Sequence, residues 1–316
     1  MKRIIAILLL VVMVTALFAC KTAEEPKEPV RVAALAGPTG VGLAYLMQDQ
    51  AEQYDVSIFT APDQITAKII NGEVDIAAVP INLASVLYKK TEGEIVTIAV
   101  NTLGVLYVLE NGESVGSISD LAGKTVYSTG QGSTPQYILE NVLASNALTD
   151  SVQVEYLADN TELIAKLAEG SVEVAVLPEP HVSIATAKSE NIRVALSMND
   201  LWTEANHNDI VQGVYVVRKA FLTEHGAAVD AFLADAKESK DKALTEADAP
   251  SIVVAQGILG AEGIAKKAIP NCNLVLLTDE EMRSAVEAML QTLFEANPAS
   301  VGGTLPSDDF YYVREG

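Results

Sequence analysis

The chain of 316 residues has only two cysteines, Cys20 and Cys272, a single tryptophan, three histidines, and 21 basic residues against 42 acidic ones. Each scarcity excludes something. Two cysteines cannot build a disulfide framework, so a large apolar core must hold the fold. His181, His207 and His225 lack the close His-x3-His type of spacing that a metal site uses. A formal charge of −21 repels nucleic acid and anionic lipid surfaces, which removes both from the expected partners. Charge on the surface says nothing about charge in a pocket.

Cofactor signatures are incomplete too. Gly37-Pro38-Thr39-Gly40-Val41-Gly42 has the glycine spacing of a phosphate loop, but Leu43 and Ala44 stand where Lys and Ser or Thr are required. Gly130-Gln131-Gly132-Ser133-Thr134 lacks the last glycine of a dinucleotide fingerprint. The expectation is a protein without cofactor or catalytic residues.

What the chain does contain is a repeat. Lys68-Ile69-Ile70-Asn71-Gly72-Glu73-Val74-Asp75-Ile76-Ala77-Ala78-Val79-Pro80 returns as Lys166-Leu167-Ala168-Glu169-Gly170-Ser171-Val172-Glu173-Val174-Ala175-Val176-Leu177-Pro178, at a constant offset of 166 − 68 = 98. Each copy reads as a helix end, a Gly at its C-terminal cap, a short buried strand, and a Pro that stops it. An α/β unit repeated at that distance predicts two similar Rossmann-like lobes. Matching strand ends that face one another make a clamp for a small molecule.

Apolar runs predict strands over 30–36, 56–60, 74–79 and 95–101, alternating with helices over 41–53, 62–70 and 82–89. That order implies a mainly parallel sheet covered on both faces. A second set follows, with strands over 125–128, 152–157 and 172–177 and helices reaching 144 and 169. Strands over 192–196 and 210–218 precede helices over 224–245, 249–259, 263–268 and 279–296. The expected division is lobe 1 over 30–108 plus 216–316 and lobe 2 over 109–215, with hinge crossovers near 107–112 and 212–217.

Lys2 and Arg3 precede an apolar stretch from Ile4 to Phe18, the form of a signal peptide over 1–19. Leu17-Phe18-Ala19-Cys20 resembles a bacterial lipobox, in which the Cys carries diacylglycerol and palmitate. The charged, Pro-rich segment 20–29 suits a tether. A lipid-anchored, extracytoplasmic and monomeric protein is expected, touching the membrane through that anchor alone. Loss of Lys2 and Arg3 with the signal changes −21 to −23. Cys272 then has no partner and reads as a small buried hydrophobe.

The lipobox, the paired lobes, Gly72-Glu73-Val74-Asp75-Ile76-Ala77, Asp120-Leu121-Ala122-Gly123-Lys124 and Thr129-Gly130-Gln131-Gly132-Ser133 together resemble an ABC-transporter substrate-binding protein. The chain is similar to the binding proteins of nitrate, sulfonate, taurine and thiamine-pyrimidine-precursor importers. The resemblance implies a type II periplasmic-binding-protein fold, a ligand in the cleft, and delivery to an ABC permease. A ligand-sensing lipoprotein for a membrane receptor is the alternative, and a hydrolase a more remote one.

In open α/β sheets ligands lie beyond the carboxyl ends of the strands, where helix N-termini present free N–H groups. This places the candidate site at Gly37, Pro38, Thr39 and Gly40; Pro80, Ile81 and Asn82; Asn101 and Thr102; Gly130, Gln131, Gly132, Ser133 and Thr134; and Glu179, Pro180 and His181. None of these turns carries Arg or Lys, so no bidentate clamp for an oxyanion is visible. Helix N-termini and hydroxyls could still hold one, while Glu179 and His181 suggest a ligand with donors. An amino-heterocycle, a zwitterion or a small oxyanion are the expected ligand classes.

Overall fold

The apolar runs form eleven strands in the computed structural model, which describes residues 28–314. They are β1 Val30–Leu35, β2 Tyr54–Phe59, β3 Ile76–Pro80, β4 Ile95–Leu103, β5 Leu106–Asn111, β6 Thr125–Ser128, β7 Gln153–Tyr156, β8 Val174–Pro178, β9 Ile192–Ser197, β10 Val211–Arg218 and β11 Leu274–Leu277. The signal segment, Cys20 and the tether up to residue 27 lie outside the described residues.

Two sheets result. The first runs β11-β4-β10-β3-β1-β2 and the second β7-β6-β8-β5-β9. In each, a parallel trio sits at one side: β3-β1-β2 in the first and β8-β6-β7 in the second. An antiparallel strand lies against each repeat strand, β10 beside β3 and β5 beside β8. The expected two-lobe α/β architecture is therefore present, with most strands of each sheet pointing one way.

The repeat survives as geometry. After the helix Pro62–Ile70, Gly72 N–H donates to Ile69 O and Glu73 N–H to Lys68 O. After the helix Asn160–Glu169, Gly170 N–H donates to Leu167 O and Ser171 N–H to Lys166 O. These are the same two bonds of a Schellman cap displaced by 98 residues, and each needs a left-handed residue. Gly72 at φ 74° and Gly170 at φ 76° supply it.

The lobe boundaries differ from the expected ones. Leu106 already pairs with Pro178, so residues 106–108 belong to the second sheet. Val211 pairs with Leu103 and Gly213 with Pro80, so 211–215 belong to the first. The chain crosses between sheets at Gly104-Val105 and again between β9 and β10, through the helix Met198–Asn206. Apolar strand patterning cannot tell which sheet a strand joins, and for that reason both crossovers lie a few residues before their expected positions.

Helices cover both faces of the first sheet. The helix Asp279–Ala296 lies on one side with Ile81–Lys90, and Gly226–Thr245 with Phe232 on the other. The expected single helix over 41–53 is two short ones, Pro38–Val41 and Ala44–Asp49. One buried apolar cluster spans the lobes, joining Val79, Ile81 and Leu290 to Val126, Ile138 and Trp202. Each fully buried large side chain contributes about 1.5–3 kcal/mol. Among the described residues no helix is long and apolar enough to cross a membrane.

Candidate functional site

Strand direction places all five predicted turns at carboxyl ends. In the first lobe β10 aligns two of them, because Gly213 faces Pro80 on β3 and Thr102 on β4. The ladder slips on both sides of Gly213. A Cβ at Gly213 would stand 2.6 Å from Asn101 Oδ1, 2.6 Å from Thr39 Cγ2 and 3.4 Å from Thr102 Cβ. Glycine there lets Thr39, Asn101 and Thr102 converge. Thr39, Asn101 and Thr102 are all buried, and Asn101 Nδ2 donates to Thr39 O at 3.4 Å. Asn101 Oδ1 and Thr102 Oγ1 find no partner among the described residues.

The Gly37–Gly40 segment is more structural than its composition suggested. Gly37 adopts φ 105°, and its N–H donates to Ile258 O at 3.0 Å. Pro38 opens the first short helix. At Gly40 a Cβ would lie 2.6 Å from Leu35 O, so the glycine is there for close backbone approach. Ile81 is a core side chain at 1% exposure, whereas Asn82 is half-buried.

The second lobe presents a looser loop. Gly130, Gln131 and Gly132 are exposed, with φ 74° at Gly130 and 78° at Gly132. Ser133 N–H donates to Gly130 O, Ser133 Oγ donates to the same oxygen at 2.5 Å, and Gly132 N–H donates to Gln136 Oε1 at 2.7 Å. The Ser133 hydroxyl, expected to face ligand, thus has its proton engaged within the loop. Thr134 is buried and opens the helix Thr134–Ser145. Before the loop, Thr129 Oγ1 donates to Asn160 Oδ1 at 2.7 Å.

Glu179 is buried at 2% exposure beside the crossover, its N–H donating to Val105 O at 2.9 Å. The carboxylate accepts from Ser183 N–H and Oγ and from Asn271 Nδ2 of the other lobe. Burial pushes the carboxyl above its ordinary value, and the bonds from Asn271 and Ser183 oppose that shift. Glu179 is therefore answered by the protein itself. Pro180 follows a cis bond, and His181 opens the helix His181–Lys188 with Nδ1 unpartnered among the described residues. Burial lowers the His181 pKa, so the ring is neutral at pH 7. Cys272 is fully buried and its thiol is pushed up by that burial, in keeping with a packing role.

Several residues at the cleft had no sequence signal. Gly213 falls in the expected crossover over 212–217, and Asn271, Tyr137, Ser183 and Asn297 sit in no recognisable turn or motif. Tyr107 OH donates to Asn271 O at 3.0 Å, and Asn297 Nδ2 donates to Tyr137 OH at 2.8 Å, both between lobes. Only the sheet pairing and the lobe contact reveal them.

One motif escapes the reading of glycine patterns. Gly112-Glu113-Ser114-Val115-Gly116 has the Gly-x-Ser-x-Gly spacing of a hydrolase nucleophile elbow, which needs a strand-to-helix turn. Here an exposed loop follows β5, and Ser114 Oγ donates to Glu110 while accepting from Lys124 Nζ at 2.9 Å. Glu110 also accepts from Arg193 at 2.6 Å. The segment holds a buried carboxylate in place and has no elbow. Nor is there a group of three or more potential metal ligands among the described residues. A cavity of about 570 Å³ opens on the outer helices of the first lobe beside Leu244, Pro250, Glu262 and Lys266, and contains none of the strand-end residues.

The NMT1/THI5-like family model matches residues 50–249, which is most of the chain and spans both sheets. The chain belongs to the NMT1/THI5-like family. No functionally curated protein matches the sequence. Among solved structures, an ABC transporter protein from Parabacteroides distasonis is 24% identical, with a TM-score of 0.78, covering 92% of this chain and 100% of that one. The periplasmic aliphatic sulphonate binding protein SsuA from Escherichia coli is 17% identical at a TM-score of 0.70, covering 92% and 94%. The periplasmic nitrate-binding protein NrtA from Synechocystis is 13% identical at 0.59, covering 87% and 83%. At these identities the likeness establishes the fold, that of periplasmic binding proteins with two α/β lobes.

Proposed function

We propose that this NMT1/THI5-like protein is the extracytoplasmic solute-binding component of an ABC importer. It captures a small organic molecule between the lobes and hands it to a membrane permease. The observation that carries this reading is the repeated unit itself. β3 and β8 end at Pro80 and Pro178, one in each lobe, and the chain crosses between the lobes beside both. Two strand-end surfaces on a double crossover make a clamp, and a clamp needs no catalytic group. A ligand that bridges both surfaces binds the closed form better and so shifts the population toward it.

The ligand in this reading is neutral or zwitterionic and partly apolar. No Arg or Lys occurs in the five turns, Glu179 is internally satisfied, and His181 is neutral. Sulfonate and nitrate are what two of the structural neighbours bind by name, and a guanidinium fork for such a group is missing from these turns. Attachment through a lipid on Cys20, a monomeric state and the tether over 20–29 complete the proposal.

Native mass spectrometry of the chain starting at residue 21, purified without added solute, tests capture. A defined small molecule bound at one per chain supports it, and turnover of that molecule by the protein contradicts it. Metabolic labelling with palmitate tests the anchor, which Cys20→Ser must abolish.

A further inference from the structure

The exposed loop Gly130–Ser133 is tied to the opposite lobe through a single tyrosine. Tyr137, in the first turn of the helix Thr134–Ser145 and 7% exposed, donates its hydroxyl proton to Gly132 O at 3.2 Å. The Tyr137 phenolic oxygen in turn accepts from Asn297 Nδ2 at 2.8 Å. Asn297 lies at the end of the helix Asp279–Ala296 in the first lobe. Its Oδ1 is used separately, accepting from Ala299 N–H at 3.1 Å to cap the next short helix. The other hydrogen bonds of the loop among the described residues stay within the second lobe.

We infer that Tyr137 is a positioning residue that couples the approach of the lobes to the order of the candidate ligand loop. A phenol has one proton to give. While Asn297 donates to its oxygen, that proton is directed to Gly132 O, and chained hydrogen bonds of this kind reinforce one another. When the lobes part, Asn297 leaves, and the phenol turns to water on its freed side. The two left-handed glycines then hold the loop with only its internal bonds. The loop thus reaches its binding shape when the clamp closes, which couples ligand affinity to closure. This inference rests on the strand-end site proposed above.

Asn297→Asp separates this role from ordinary capping. Aspartate keeps the oxygen that accepts from Ala299 N–H and is itself a favoured cap. It has no N–H for Tyr137, and its carboxylate takes the phenolic proton away from Gly132 O. Amide hydrogen exchange of the chain as purified, with the lobes together, reads the result without any need to know the solute. Loss of one such bond speeds exchange by roughly three- to tenfold. The inference predicts that acceleration at residues 130–134 in both Asn297→Asp and Tyr137→Phe, with β8 amides unchanged. Asn297→Ala, which removes the cap and leaves the Tyr137 proton shared between Gly132 O and water, must disturb the loop less than Asn297→Asp, whose carboxylate takes that proton outright. Loop exchange at the unmodified rate in Asn297→Asp, or a larger effect from Asn297→Ala, overturns it. These readouts stand apart from solute capture. Failure here leaves the clamp reading intact, and an empty mass spectrum leaves the relay intact.

Discussion

The helix ends at Gly72 and Gly170 close with the same pair of hydrogen bonds, and the strands that follow end at equivalent prolines. Beyond those prolines the lobes part company. In the first, Ile81 follows Pro80 directly and begins a helix in the core. In the second, Glu179 and Pro180 intervene, and Glu179 is buried against the crossover and bonded to Asn271 of the first lobe. The glycine turns differ in the same way. Gly40 is pressed against Leu35 O, whereas a Cβ at Gly132 meets nothing within 4 Å. One lobe offers a rigid wall and the other a loop that can be set.

The buried acids sharpen the contrast, and the largest expected effect concerns Asp75 in the first lobe. Burial works against its charge, but hydrogen bonds from Arg31 at 2.7 Å and Arg218 at 2.6 Å outweigh it and hold the carboxyl below its ordinary value. Both arginines are partly exposed, so we discount the usual cost of breaking a buried pair and expect Asp75→Asn to lose about 3 kcal/mol. A depressed carboxyl stabilises the fold above its unfolded pKa of about 4, and that contribution disappears as pH falls through the folded value. Chemical denaturation at several pH values checks this. An Asp75→Asn curve parallel to the parent's below pH 4 rules it out.

Next come the glycines. Gly40→Ala drives a Cβ into a backbone carbonyl and is expected to cost about 2–3 kcal/mol by overpacking. Gly132→Ala meets only the strain of a left-handed alanine, about 1 kcal/mol. Equal losses of melting temperature in the two variants would break the distinction between wall and loop.

The smallest effect has the opposite pH sign. Burial raises the Glu179 carboxyl, so its contribution is fully present below the unfolded pKa of about 4.3 and is lost as pH rises through the folded value. Glu179→Gln keeps an acceptor for Asn271 and removes that ionisation. Stability at pH 7 should change by less than about 1 kcal/mol, and its decline with rising pH should flatten. A steeper decline in the variant contradicts the assignment.

Much of this was legible from residues. The helix over 279–296 and the strand over 125–128 fall where periodicity put them, because long amphipathic and β-branched runs are strong local signals. The repeat showed two lobes through Gly72 and Gly170, whose backbone geometry only glycine adopts with ease. Crossover positions were not legible, since Val211–Arg218 reads as a strand without saying that β3 and β4 flank it. The polar wall at Thr39, Asn101 and Thr102 was predicted from strand ends, yet Gly213, which admits it, depends on a ladder slip. Glu179 stands out in the sequence as a site acid, whereas its carboxylate is held by Ser183 and by Asn271, 92 residues away.

The central claim is that the lobes close on a solute held at the two strand-end surfaces. In the chain starting at residue 21, spin labels on Lys90→Cys and Ser145→Cys, one exposed site per lobe, report the distance between lobes while buried Cys272 stays unlabelled. The distance is measured on the protein as purified, after stripping in denaturant and refolding, and after return of the extracted small molecules. The account predicts a longer, broader distribution in the stripped protein and recovery of the short one on return. One unchanged distance in all three, with the molecule shown by mass spectrometry to have rebound, contradicts it.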